Sequence, residues 1–246
     1  MRGSPTDWAE WQQFFAARSG RPLPPLQHGG AYAFLPGSLA RSLAIFQLGE
    51  SGGGTIIGEA RRSALPGVDA HYADAMALFV AEEHRHANIL EMCVRMLGGE
   101  LVSRNWTATL FVSVRRCMGL RLKVLVLLAA EVVGLCYYHL LAGRLPECPM
   151  KSWLRQIVDD ERSHLEFHCS FLHAQVRSAW QRRLFVIAWR SIMLAAAVVV
   201  MIDHRSAIRD LGINYDAVLS RWMRYSRHAE RQVTGVSAEF SVEPAH

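Results

Sequence analysis

After the first 37 residues proline and glycine concentrate in a few places, and between them run long segments whose apolar residues recur every three or four positions. That period belongs to helices, and no convincing run alternates apolar and polar residues as a half-buried strand would. Such a chain is expected to fold as packed helices. The first 37 residues, with RPLPPLQHGG and the later Pro36-Gly37, read as an irregular lead-in. A first long helix is expected from about Ser38 to Arg62, ended by Leu65-Pro66-Gly67, and a second from Asp69 to Leu97, stopped by Gly98-Gly99. A third runs from about Trp106 or Leu110 to Ala142, and a fourth from about Met150 to Ser178. Four long helices with short or moderate connections suggest a bundle over residues 38–178. Two more, Trp180 to Asp203 and Asp216 to Glu230, make residues 179–246 a C-terminal cover.

Composition narrows the class further. With 51% hydrophobic and 20% charged residues, the chain is neither disordered nor fibrous. Its cysteines, Cys93, Cys117, Cys136, Cys148 and Cys169, are odd in number and form no CxxC, which argues against a disulfide framework and a thiolate metal site. The expected compartment is the cytoplasm, since the opening MRGSPTDWAEWQQ lacks the apolar run of a signal peptide. The 27 basic residues outnumber the 22 acids but are scattered, so a basic soluble surface is preferred to a nucleic-acid site. Two apolar stretches, Val124 to Leu141 and Leu184 to Ile202, are broken by Glu131 and His139 and by Arg190. Both are read as buried central helices, with membrane-surface attachment as the lesser alternative.

The chemistry lies in acids placed on apolar stripes. Glu83 and His86 form a Glu-x-x-His in the second helix, and Glu161 and His164 form another in the fourth, each pair side by side on one helical face. Val80, Phe79 and Met76 precede Glu83 at helical spacing, and Val158, Ile157 and Leu154 precede Glu161. A carboxylate on such a stripe points into the core, where an isolated charge costs several kcal/mol unless it is paired or bound to a metal. Glu131 is the sole acid of the third helix, among Val124, Leu127, Leu128, Leu135 and Tyr138. The first helix offers Glu50 and Glu59, nine residues and so about 180° apart if the helix is continuous. Glu50 continues the stripe Leu39, Leu43, Phe46 and is taken as the inward one, while Glu59 beside Arg61 and Arg62 reads as surface.

In chain order this set is Glu50, Glu83-x-x-His86, Glu131, Glu161-x-x-His164, and it resembles the ferritin-like di-iron carboxylate superfamily over residues 38–178. The resemblance implies a ferritin-like four-helix bundle with extra C-terminal helices and those six residues as ligands of two metal ions. Four carboxylates would balance two divalent ions, and mixed oxygen and imidazole donors suit two irons, or a mixed manganese and iron pair as the alternative. In relatives with an acid-Glu-x-Arg-His signature, the extra acid holds the histidine of the opposite helix. Carried over, Asp160 would orient His86 and Glu82 would orient His164. EEHRH fits that signature, whereas DERSH has its arginine one position early. His168, one turn after His164, is either a third imidazole ligand, as in some N-oxygenase relatives, or a supporting core histidine. Gly52-Gly53-Gly54 after Glu50 is either a kink or close packing, or missing volume that leaves room for dioxygen or substrate.

The resemblance implies an O2-dependent oxidoreductase, with O2 as co-substrate and an apolar or aromatic small molecule as substrate. The stripes around Phe46, Phe79, Leu135 and Tyr138 would form the pocket. Electrons are expected from a separate ferredoxin or reductase, since the chain has neither a GxGxxG turn nor a cysteine cluster. An iron-handling ferroxidase or storage protein and a rubrerythrin-like peroxidase are the alternatives. A homodimer is compatible with the sequence, and no nucleic-acid partner is expected.

Overall fold

The computed structural model describes residues 5, 7–23, 32, 35–105 and 119–235. Among them every regular element is a helix. The chain forms two compact units, Met1–Lys123 and Val124–His246. Their boundary falls inside the 38–178 range that the sequence suggests as one bundle.

In the first unit, the expected irregular lead-in instead contains a helix, α1 (Trp8–Ala16). Asp7 caps it by accepting the Glu10 N–H at 2.9 Å. Trp11 and Phe15, four residues apart, are buried. They anchor the helix, which packs on α4 (Ala70–Met96). Phe15 meets Phe79 with ring centroids 6.5 Å apart. The expected single helix from Ser38 to Arg62 is two, α2 (Gly37–Glu50) and α3 (Thr55–Arg61). Gly53 breaks it with a φ of +105°, a left-handed conformation that residues with a Cβ rarely adopt. Helix α4 begins as expected, with the Asp69 carboxylate accepting the Tyr72 N–H at 2.9 Å. Both α2 and α3 pack on it. A Cβ at Gly99, just past its end, would stand 2.6 Å from the Ala40 Cβ, so glycine sets how closely the chain leaving α4 passes α2.

Helix α5 (Leu120–Arg144) has its first turn in the first unit. The expected start at Trp106 or Leu110 lies outside the described residues. In the second unit, α6 (Pro149–Gln175) carries proline at its first position, where no N–H is needed. A capping box between Ser178 and Gln181 opens α7 (Ala179–Asp203). A short helix the sequence did not suggest, α8 (Arg205–Asp210), leads to α9 (Tyr215–Thr234), which ends at left-handed Gly235. Helix α9 packs on α6 and α7. The Cys136 and Cys169 thiols reach the Val218 and Ala229 carbonyls, each at 3.8 Å. Burial pushes the Cys136 thiol up to about 12 and the Cys169 thiol higher still, so both are packing groups rather than reactive thiolates.

Among the described residues two helices, α5 and α7, are long and apolar enough to cross a membrane by length and composition. Their surroundings differ: 78% of the most apolar window of α5 is buried, against 17% for α7. The expectation of a buried central helix therefore fails for Leu184 to Ile202. Its packed stripe is narrow, consisting of Phe185, Trp189, Met193 and Val200.

Candidate metal centre

The second unit gathers four of the singled-out side chains. Helix α5 supplies Glu131, whose neighbours in its own helix are almost all buried and apolar. Helix α6 supplies Glu161, His164 and His168, spaced three and four residues apart and all buried. The His164 Nδ1 lies 3.6 Å from a Glu131 oxygen and 3.8 Å from a Glu161 oxygen. The His168 Nε2 lies 3.5 Å from the other Glu131 oxygen. These separations exceed the about 2.7–3.2 Å of an ordinary N–H···O bond. They are close to the roughly 3–3.5 Å between donors that each stand about 2.1 Å from one metal ion.

Gly134 has a part here that the sequence reading missed. A Cβ at this position would stand 3.2 Å from the Tyr138 ring and 3.7 Å from the Glu161 carboxyl carbon. Glycine in mid-helix costs about 1 kcal/mol relative to alanine, and that cost was the available signal.

In the first unit, α4 presents the other Glu-x-x-His. His86 is fully buried and its Nδ1 lies 3.7 Å from a Glu83 oxygen, which is itself nearly covered. Next to it the buried Glu82 carboxylate is held by Arg21 and, at 3.3 Å, by the Nε of Arg18. Both arginines follow α1, within the region read as an irregular lead-in, and no pattern of their own marks them. The signal was Trp8, Trp11 and Phe15 at helical spacing behind a capping Asp7. Asp160, the other expected supporting acid, is buried on α6.

Glu83 with His86 in the first unit, and Glu161 with His164 in the second, each set a carboxylate beside an imidazole one helical turn on, and such donors could hold a metal ion. Glu50 and Glu131 are not among those four. The donors are oxygen and imidazole nitrogen, with no thiolate among them. Glu50 is the last residue of α2 and half-buried. Glu50 and Glu59 stand about 180° apart only on one continuous helix, and the break at Gly53 puts them on two. Glu59 is not a free surface acid: it ion-pairs with Lys123, which is buried.

Of the expected substrate-lining residues, Phe79, Leu135 and Tyr138 are fully buried and Phe46 half-buried. A cavity of about 480 Å³ in the first unit is lined instead by Glu59, Arg62, Ser63, Leu65 and the stretch Gly119–Leu122. Comparison of the chain with protein-family models, with curated proteins and with solved structures finds no match.

Proposed function

We propose that this protein is an O2-dependent di-iron oxidoreductase of ferritin-like architecture, acting on an apolar or aromatic small molecule with electrons from an external donor. The observation that supports it most is the convergence of Glu131, Glu161, His164 and His168 inside the second unit, with separations of 3.5–3.8 Å. A structural role would not require such a cluster, because buried carboxylates beside apolar helices are costly without a cation. In this reading Glu50, Glu83, His86, Glu131, Glu161 and His164 hold the two ions, and His168 either adds a donor or fixes Glu131. When bound, two reduced irons supply the electrons and open positions for reaction with O2.

The remaining work falls to the protein. Buried apolar walls around Leu135 and Tyr138 exclude water and favour an uncharged substrate. Glu82 and Asp160 steady the histidines by accepting ring N–H groups, which fixes the tautomer that coordinates.

Anaerobic loading with ferrous iron, followed by metal analysis and measurement of O2 uptake, tests the proposal. About two irons per chain and O2 consumption that candidate apolar substrates accelerate are the expected results. A cage-sized particle on size exclusion that takes up iron in large excess would replace this reading with iron storage.

A further inference from the structure

Helix α7 exposes an apolar stripe interrupted at Ser191. Trp180 is 66% exposed, Ile187 65% and Leu194 70%, with Leu184, Val198 and Ile202 between 46% and 52%. Their spacing of three, four or seven residues puts them on one side of the helix, with exposed Ser191 in the remaining turn. At about 100° per residue, the packed stripe of Phe185, Trp189, Met193 and Val200 lies on the opposite side. The helix is thus apolar on two faces, and α9 covers the inner one.

Charge identifies what suits the outer face. Residues 176–235 hold ten arginines against four acids, an excess greater than the +5 of the whole chain. Arg183 and Arg190 sit seven residues apart along one edge of the stripe. Arg177 and Arg182 stand at its start and Arg205 and Arg209 beyond its end, all six exposed. We propose that α7 docks this protein on an anionic lipid surface, lying in the membrane interface with Trp180 to Ile202 in the outer acyl region and the arginines at the phosphates. A second copy of the chain would bring two arginine-rich segments together, and like charges oppose that. Crossing the bilayer is disfavoured as well. The inner stripe is fastened to α9 through the Trp189 N–H to the Ser226 carbonyl at 3.1 Å. In mid-helix, Arg190 pairs with Glu230 through two bonds of 2.8 and 2.9 Å.

The test is co-sedimentation of the full-length protein with vesicles of phosphatidylcholine containing about 30% phosphatidylglycerol, and with phosphatidylcholine alone. Binding to the anionic vesicles should exceed binding to the neutral ones by about tenfold and fall as salt is raised. The double variant Ile187→Glu/Leu194→Glu should lose about tenfold in binding or more while keeping its helical circular dichroism and iron content, because both positions are solvent-exposed. Arg183→Glu should weaken binding to the anionic vesicles alone. No sedimentation with anionic vesicles, or equal binding to both, would overturn the proposal. So would a concentration-dependent dimer in solution that the double variant dissociates, since a second copy would then own this face.

Discussion

Helices α5 and α7 are 25 residues each, and by composition alone they are near twins. Each carries one charged residue in mid-span, Glu131 in α5 and Arg190 in α7. The difference lies in what each charge touches. Glu131 is buried and faces two imidazoles, whereas Arg190 is 69% exposed and pairs with Glu230 on α9. Apolarity therefore reports that a helix avoids water and leaves open what replaces the water. In α5 that is protein, including a carboxylate and histidine cluster. In α7 one narrow stripe meets protein, and the apolar residues of the other face are about half or more exposed.

The comparison breaks most sharply under a charge placed in each helix. Leu128→Glu in α5 puts an uncompensated carboxylate where the side chain is fully buried, and should cost several kcal/mol and leave little folded protein at 37 °C. Leu194→Glu in α7, at a side chain 70% exposed, should change stability by no more than about 0.5 kcal/mol. Denaturant midpoints of the two variants check this directly, and a collapse of the α7 variant would show that its outer face is covered. Next in size is Glu131→Ala. It should drop iron from about two per chain to one or fewer, and full retention would remove Glu131 from the ligand set.

Much of this contrast was not legible in the sequence, for identifiable reasons. Helical periodicity placed α4, α6, α7 and α9 to within a few residues, because long apolar stripes and breaks such as Leu65-Pro66-Gly67 and Gly98-Gly99 are local signals. The same periodicity gave α5 and α7 one interpretation, since burial depends on partners that lie far away in sequence. The pairs Glu83 with His86 and Glu161 with His164 stood out because their spacing is short. By contrast, Arg18 and Arg21 reach Glu82 across about sixty residues, and the Lys123 partner of Glu59 is as distant. Gly53 was visible as a weak point, but whether three glycines bend a helix or end it depends on the packing of α2 and α3 on α4.

A middle-sized effect joins the end of α7 to α5. His204, just past α7, is buried with its ring 5.2 Å from Tyr137 of α5. Burial pushes its pKa down to about 4, with Asp203 opposing weakly. The unfolded chain takes up that proton near the ordinary value of about 6.5, so protonation favours unfolding. The contribution is complete above about pH 6.5 and is lost as the pH falls towards 4, reaching at most about 3 kcal/mol. His204→Phe should flatten the slope of stability against pH across that window relative to the parent. An unchanged slope would mean that the ring titrates normally.

The smallest effect expected is that of Arg190→Gln. Two charge-assisted bonds to Glu230 look strong on geometry, and Glu230 raises the guanidinium pKa. The pair is nonetheless open to water on its arginine side, where screening and the entropy of two long side chains offset most of the attraction. Thermal midpoints of parent and variant should therefore agree within experimental error at ordinary ionic strength. If the variant is clearly less stable, and more so at low salt, the α7–α9 contact depends on this pair. The inner stripe of α7 would then be held less by Phe185, Trp189 and Met193 than their burial suggests, and the helix would be nearer to α5 in its need for a polar partner.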